Sequence, residues 1–337
     1  MTNYLYIHIT GFIVCAAIIF FAGKRLSYYG DLLAKFTGLG KAWIGLILMA
    51  AVTSLPELMV GISSSVIMQS ADLAVGDILG SCAFNLGILS MMDIFTPKDR
   101  PLFSHVSRSH ILAGAFGIIL VALVGLSLFL DEDIVVSPFV GLTSVSFLVV
   151  YLIAVKSIYN YQQGKSRHSE HPQNGAGKTK TLKEVVIRYA FFALIIIVTA
   201  LALPYFAEHI SEATGLGKSF VGTLFLAAST SLPEIAVSLA AIRMGSTDMA
   251  VGNLLGSNLF NVLILFLDDL FYTKGHLLKD ASDVNLLSAF FVIMMTGVAI
   301  IGFIFPSKEK KFIMAWDTFT IFCLYVANMV LLFFLSK

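Results

Sequence analysis

The hydrophobic positions of this chain form long, nearly uninterrupted runs, and the polar positions cluster between those runs. In soluble proteins, strands instead alternate apolar and polar residues, and helices carry their apolar residues on one face. A run of about 20 apolar residues is long enough for a helix that crosses a bilayer. The pattern predicts ten transmembrane helices, over residues 4–23, 42–68, 71–93, 107–130, 135–157, 184–207, 219–244, 248–267, 283–305 and 313–335.

The composition agrees with a membrane protein, because 58% of the 337 residues are hydrophobic and only 13% are charged. No Lys or Arg precedes Lys24, so the first run lacks the basic region of a secretory signal peptide. Cys15, Cys82 and Cys323 lie within apolar runs and are expected to be buried thiols without a disulfide or metal motif. The net charge of +1 gives no sign of a nucleic-acid partner.

One long hydrophilic segment, residues 159–183, separates two halves of five predicted spans each. It contains Gly, Ser, His and Lys without apolar periodicity, which is typical of a flexible linker. The sequence therefore predicts a first repeat over residues 1–158, a linker over 159–183 and a second repeat over 184–337.

The basic residues are distributed unevenly between the two sides of the predicted membrane. Eighteen of the 22 Lys and Arg residues fall in the loops on the side of the 159–183 linker. Because basic loops stay in the cytoplasm, we expect the linker to be cytoplasmic and both termini to lie outside a cell membrane, plasma or inner.

The two halves are copies of one another. Because five spans per half is an odd number, the second copy must enter the membrane from the opposite side, as in inverted-repeat secondary transporters. The predicted fold is an all-α integral membrane protein with two inverted five-helix repeats. Three motifs recur, the first two at an offset of 177 residues and the third at 176: Thr37–Lys41 as Thr214–Lys218, Thr53–Glu57 as Thr230–Glu234, and 72–85 as 248–261.

Each copy places a glutamate, Glu57 or Glu234, near the middle of a predicted span. A carboxylate at that depth costs about 2.5–3.5 kcal/mol unless it faces a cavity or a partner. A structural hydrogen bond or ion pair is the simplest alternative, but no Lys, Arg or His occurs at a comparable depth. Two such acids at equivalent positions predict a bound cation.

The prolines beside these glutamates, Pro56 and Pro233, cannot donate hydrogen bonds to the carbonyls of Val52 and Ser229. We therefore expect a kink in each helix and free backbone oxygens near each carboxylate.

Helical spacing brings further oxygen atoms to the same faces as the two glutamates. Such a set of carboxylates, hydroxyls, amides and carbonyls suits hard cations. Close helix packing through Gly80 and Gly256 is the structural alternative, but it does not explain the amides. The residues concerned are Ala50, Thr53, Ser54, Ser81 and Asn85 in the first half and Ala227, Thr230, Ser231, Ser257 and Asn261 in the second.

The two Thr-Ser-Leu-Pro-Glu segments, each followed by Gly-Asp/Asn-x-x-Gly-Ser-x-x-x-Asn, resemble the α-repeats of the sodium/calcium exchanger branch of the cation/calcium antiporter superfamily. The resemblance implies the ten-span fold and exchange of Na+ for Ca2+ by alternating access, with spans 1 and 6 sliding across the rest. It also implies four central ion ligands, Glu57, Asn85, Glu234 and Asn261. Around these, the resemblance implies Na+ and Ca2+ positions completed by Thr53, Ser54, Ser81, Thr230, Ser231, Ser257 and the carbonyls of Ala50 and Ala227.

The sequence departs from the family pattern mainly in the first repeat. The usual Gly before Thr-Ser-Leu-Pro-Glu is replaced in both repeats, and Cys82 replaces an Asn. Asp77 stands where the second repeat has Asn253; it is either a third acid along the ion path or a polar residue that meets water near a helix end. Asp93 and Asp269, near their span ends, are expected to meet interfacial water.

Two other transport functions stay open: a proton/divalent-cation exchanger and a Na+-coupled exchanger for another divalent cation. The hydroxyl-rich sites favour Na+ over protons, and inverted halves with kinked helices favour alternating access over a cation channel. An enzyme is not expected, because no nucleotide loop, catalytic triad or catalytic metal motif occurs. The expected partners are Na+, Ca2+ and the lipid bilayer. We expect the protein to act as a monomer and to need no cofactor. K+-dependent relatives typically have Asp at the position of Asn261, so we expect exchange that needs no K+.

Overall fold

The computed structural model describes residues 2–130, 135–137, 140–166, 181–214 and 227–335. Within these ranges, eight helices are long and apolar enough to cross a membrane, and one bent helix pair supplies a ninth span. The helices are α1 (Thr2–Thr37), α2 (Lys41–Thr53), α3 (Leu55–Met68), α4 (Ala71–Met92), α5 (Ser109–Phe129), α6 (Leu142–Ser166), α7 (Leu182–Ala213), α8 (Leu232–Arg243), α9 (Thr247–Phe271), α10 (Val284–Ile304) and α11 (Trp316–Leu335).

The observed helices follow the predicted all-α membrane fold. The bent pair α2 and α3 corresponds to predicted span 42–68. Predicted span 219–244 is described only from residue 227, where residues 227–230 are helical and α8 follows. Its first part, like the second copy of the pentapeptide from Gly215 onward, lies outside the described residues.

Several predicted boundaries are wrong. Helix α1 continues to Thr37 rather than ending near residue 23, since Arg25 lies over the Phe21 ring, 5.5 Å from its centroid, and the helix remains packed along α7. The predicted span 135–157 begins with two short antiparallel strands, β1 (Val135–Ser137) and β2 (Val140–Gly141), and α6 begins only at Leu142.

The predicted linker 159–183 also begins too early. Helix α6 continues to Ser166, and its Gln162 Nε2 donates a hydrogen bond to Ser109 Oγ at 2.8 Å. Helix α7 begins at Leu182, and residues 167–180 lie outside the described residues. The polar composition of this segment hid the end of a helix that packs against α5.

Helices α4 and α9 form the centre of the molecule. Of their most apolar windows, 72% and 78% of the residues are buried, against 17% for both α1 and α11. The central helices pack against each other and are surrounded by α2, α3, α5 and α10. The repeated segments 72–85 and 248–261, which contain Asn85 and Asn261, therefore lie on these two buried central helices.

One hydrogen-bonded contact occurs twice, once on each face of the helical bundle. Asp72 Oδ1, at the start of α4, accepts from the Ser282 backbone N–H at 2.5 Å. Asp248 Oδ1, at the start of α9, accepts from the Ser107 backbone N–H at 2.5 Å. These equivalent residues of the two repeats each bind a loop of the opposite repeat, as a pseudo-two-fold axis requires. We call the two surfaces the Asp72 face and the Asp248 face.

Glycine permits the close approach of α2 to α9. An ideal Cβ atom at Gly256 would lie 2.1 Å from the Leu46 carbonyl oxygen, and one at Gly45 would lie 2.3 Å from the Met249 carbonyl oxygen. Close packing through Gly256 is thus confirmed, whereas no described residue beyond its own helix lies within 4 Å of a Cβ at Gly80.

Candidate cation-binding site

The site begins where two helices break. Ser54 lies between α2 and α3 with φ −89° and ψ 7°, and Ser231 lies before α8 with φ −84° and ψ 8°. Each break is followed by a proline and then by Glu57 or Glu234 in the first helical turn. The kinks predicted at the two Thr-Ser-Leu-Pro-Glu segments are therefore present, with a bend of 40° in the first. The free N–H groups at a helix start stabilise a nearby carboxylate.

The two glutamates are held by the opposite repeat. Ser54 Oγ donates to Glu234 Oε1 at 3.3 Å, and Ser231 Oγ donates to Glu57 Oε1 at 3.3 Å. Ser257 on α9 donates to the same Glu234 oxygen at 3.4 Å. The reciprocal pair places the two helix breaks beside each other across the pseudo-two-fold axis, so that one site contains both carboxylates.

Several polar atoms at this site are buried without a hydrogen bond among the described residues. They are the second carboxylate oxygens, Glu57 Oε2 and Glu234 Oε2, together with Ser81 Oγ, Asn85 Oδ1 and the side-chain amide atoms of Asn261. All five residues are at most 2% exposed. Buried polar atoms are costly unless they are paired, and the carboxylate, hydroxyl and amide oxygens of this set would be satisfied by a bound cation.

No described Lys or Arg forms an ion pair with Glu57 or Glu234, in agreement with the sequence analysis. Nor do three His, Cys, Asp or Glu side chains converge on one point within the described ranges. The donor set consists of two carboxylates and neutral oxygens, which suits alkali and alkaline-earth ions rather than transition metals.

The predicted backbone ligands already accept hydrogen bonds. The Ala50 carbonyl accepts from Ser54 N at 2.9 Å and from Thr53 Oγ1 at 3.3 Å. The Ala227 carbonyl accepts from Thr230 Oγ1 at 2.8 Å and from the Ser231 backbone N–H at 3.2 Å. A cation bound to either carbonyl would replace the threonine hydroxyl as its second partner, so each threonine could respond to ion binding.

Sequence reasoning missed the role of Asn258. Its Oδ1 accepts from Asn85 Nδ2 at 3.0 Å, and its Nδ2 donates to the Cys82 carbonyl at 3.2 Å. This arrangement fixes the Asn85 amide so that Oδ1 stays free for another partner. Asn258 and Cys82 occupy equivalent positions of the Gly-Ser-Asn motif, and that lost symmetry was the available signal.

Asp77 is partly buried on α4, and its Oδ2 has no hydrogen-bond partner among the described residues. It is close enough to Glu57 for the two charges to interact. Its counterpart Asn253 is fully buried, where its Oδ1 accepts from Thr53 Oγ1 at 3.4 Å. Asp77 therefore lies within electrostatic reach of Glu57 and forms no ion pair with a Lys or Arg of the described residues.

The expectation that Asp93 and Asp269 meet interfacial water is wrong, because they are 0% and 1% exposed. Asp93 accepts from Leu102 N at 2.7 Å and pairs with Lys310 Nζ at 3.1 Å. Asp269 accepts from Leu277 N at 2.8 Å. Both carboxylates fasten a following loop to the helix end, so their role is structural.

Comparisons with known proteins agree with this geometry. The family model described as "Sodium/calcium exchanger protein" matches residues 7–156 and 185–334. The chain belongs to the sodium/calcium exchanger family. One relative in this exchanger family is the inner membrane protein YrbG of Escherichia coli K12, 28% identical over 302 residues that cover 84% of this chain and 86% of YrbG. Another is the sodium/calcium exchanger MaX1 of Methanosarcina acetivorans, 28% identical over 333 residues that cover 90% of this chain and 92% of MaX1.

The solved structures of the exchanger family show the same fold. The sodium-calcium exchanger NCX_Mj, soaked with 10 mM Na+ and zero Ca2+, superposes with a TM-score of 0.74 at 19% sequence identity, covering 97% of this chain and 99% of NCX_Mj. The two-repeat helical membrane fold is thus established for this chain. A human relative, sodium/potassium/calcium exchanger 2, is 36% identical over only 89 residues, which cover 26% of this chain and 14% of that protein.

Proposed function

We propose that this membrane protein exchanges Na+ for Ca2+ by alternating access at the site between the two helix breaks. The observation that carries the proposal is the pair of buried glutamates, each with one oxygen free and each held by a serine of the other repeat. Two carboxylates supply the charge that neutralises one Ca2+, and the surrounding hydroxyls and amides suit the coordination of Na+. The name of the relative MaX1 supports the same cation pair.

The proposed ligands are the residues that line this site. Glu57, Asn85, Glu234 and Asn261 form its centre. Thr53, Ser54, Ser81, Thr230, Ser231, Ser257 and the carbonyls of Ala50 and Ala227 complete the Na+ and Ca2+ positions, and Asp77 is a further acid beside them.

Proteoliposomes test the proposed function. Vesicles loaded with Na+ and diluted into Na+-free medium should accumulate 45Ca2+, and dissipating the Na+ gradient should stop the uptake. A proton gradient alone should drive none, and Mg2+ or Mn2+ should not replace Ca2+ as the preferred ion. Uptake that follows the pH gradient, or flux that runs down the Ca2+ gradient without Na+, would contradict the proposal in favour of a proton exchanger or a channel.

We further propose that K+ is neither required nor carried. Asn85 and Asn261 are both amides, so the centre of the site carries charge only from Glu57 and Glu234. Replacing K+ by a bulky organic cation at fixed Na+ and membrane potential should leave Ca2+ flux unchanged. A strict K+ requirement would contradict this and would direct attention to Asp77.

The proposed orientation places the Asp248 face in the cytoplasm and the Asp72 face outside, with both termini outside. It rests on the basic residues, eighteen of which belong to the cytoplasmic side. We propose that the two repeats are joined by a cytoplasmic linker between helices α6 and α7. The protein is proposed to act in a cell membrane, plasma or inner, as a monomer without a resident cofactor or nucleic-acid partner.

A further inference from the structure

Asp268 is a buried acid that the central site does not use. It lies on α9 two helical turns beyond Asn261, toward the Asp72 face, and is 0% exposed. Neither of its carboxylate oxygens has a hydrogen-bond partner among the described residues. A fully buried carboxylate without any partner is costly, and so we expect Asp268 to bind a partner that the described residues do not supply.

The surroundings of Asp268 supply a second acid. Asp77 lies on α4, which packs against α9, and is near enough to Asp268 for the two charges to interact. Asp77 Oδ2 is likewise buried without a hydrogen bond among the described residues. Two carboxylates with unpartnered oxygen atoms therefore lie on the packed helices α4 and α9, on the Asp72-face side of the central site.

Helix α3 passes beside Asp268 without a side chain between them. An ideal Cβ atom at Gly61 would lie 2.4 Å from Asp268 Oδ2, so any larger residue would displace the carboxylate. One turn further along α3, at a spacing that keeps it on the same face, lies Ser65, which is 0% exposed and whose Oγ has no described partner. Ser65 belongs to the π-helical stretch Ser64–Met68, a widened turn of the kind often found at functional sites.

The pseudo-two-fold axis provides an internal comparison, because every one of these positions has a counterpart near the Asp248 face. Asn253 replaces Asp77 and donates from Nδ2 to Oγ of Ser238, the counterpart of Gly61, at 3.0 Å. Met92 replaces Asp268, and Ile242 replaces Ser65. The fold thus accommodates a neutral, hydrogen-bonded set near the Asp248 face, and only the equivalent set near the Asp72 face has two acids, a glycine and a hydroxyl without a described partner.

We propose that Asp77 and Asp268, with Ser65 and the α3 backbone at Gly61, form a second cation site of the Ca2+ class, on the Asp72-face side of the central site. Two carboxylates and neutral oxygens match the charge and the ligand preference of a hard divalent ion. The second site rests on the proposed function for its role, since an ion held there would wait one step from Glu57, on whose charge Asp77 also acts.

Equilibrium dialysis with 45Ca2+ tests this on the full-length protein in detergent. At saturation we expect about two Ca2+ per chain for the unmodified protein and about one after Glu57→Gln with Glu234→Gln. The triple variant Gly61→Ser, Asp77→Asn, Asp268→Met copies the neutral set near the Asp248 face, which the fold already accommodates, and should also bind about one. Combining both sets of substitutions should abolish binding.

Asp283→Asn is the matched control, because Asp283 is an exposed acid next to Ser282 on the same face; it should leave the stoichiometry at two. One Ca2+ in the unmodified protein, or no loss of binding in the triple variant, would overturn the second site. Na+-driven uptake measured on the same preparations separates the two proposals. Uptake with a single bound ion refutes only the second site, whereas two bound ions without Na+-driven uptake refute only the exchange function.

Discussion

Glu57 and Glu234 each use one carboxylate oxygen for structure and leave the other free. The oxygen that accepts from the opposite serine fixes the side chain, and the free oxygen has no described partner. This division allows an acid to stay ordered in the middle of a membrane while it keeps a coordination position open.

Replacing Glu57 or Glu234 by glutamine should therefore abolish exchange while leaving the protein inserted. Each substitution keeps the size of the side chain but removes one of the two charges that balance Ca2+. Na+-driven 45Ca2+ uptake in proteoliposomes should fall by at least about tenfold. Glu309→Gln, in an exposed loop, is the control. Near-normal uptake by either central variant would exclude a two-acid site.

The orientation of the Asn85 amide by Asn258 can also be tested by substitution. Asn258→Ala should leave the Asn85 amide free to rotate, because its hydrogen bond at 3.0 Å is lost. The external Ca2+ concentration for half-maximal uptake should rise about fivefold, which corresponds to about 1 kcal/mol, the usual contribution of one hydrogen bond. Asn160→Ala, exposed on α6, should have no effect. An unchanged Ca2+ dependence in Asn258→Ala would mean that packing alone orients Asn85.

Site residues that occur in both repeats could be predicted from the sequence. Residues whose surroundings depend on contacts between distant segments could not. Glu57 and Glu234 could be found because both copies keep them beside a proline. The burial of Asp93 could not, since it depends on Lys310, more than 200 positions away. Asp268 escaped notice for the same reason: its charged neighbour and the glycine beside it lie on two helices of the other repeat.

At the level of elements, the breaks before α3 and α8 and the contact of α2 with α9 determine the site. The prolines predicted the breaks, because their missing N–H has the same effect in any fold. The two strands before α6 and the length of α1 could not be predicted from an apolar run, which marks membrane depth but not helix ends.

Gly256→Ala tests the contact of α2 with α9. The added methyl group would lie 2.1 Å from the Leu46 carbonyl oxygen, and a backbone atom cannot move aside as a flexible side chain can. We expect a loss of about 1–3 kcal/mol in unfolding free energy, read as a lower melting temperature in detergent. Gly117→Ala on α5 is the control, since its Cβ would lie 3.9 Å from Leu259 Cδ2 on the same helix α9. Equal melting temperatures for the two variants would show that α2 shifts freely.

For the whole molecule, the structure fixes which residues share a face, and the distribution of basic residues is the basis of the proposed orientation. A single cysteine at Asp99 should react only with a reagent supplied from the cytoplasm, and one at Thr273 only with a reagent supplied from outside, in a background without Cys15, Cys82 and Cys323. Both positions are exposed. Labelling of both from the same side would refute the fold, and the reverse pattern would refute only the proposed orientation.

The two equivalent aspartates, Asp72 and Asp248, have a consequence for the origin of the chain. Each aspartate accepts a hydrogen bond from a loop backbone N–H of the other repeat. Each glutamate likewise accepts a hydrogen bond from a serine of the other repeat. A single repeat would therefore leave these groups unpaired until it met a second copy inserted upside down. Fusion of two copies into one polypeptide removes the need for a newly made half to find an oppositely oriented mate. Once fused, the copies were free to diverge, and Asp77 now stands where the other copy has Asn253.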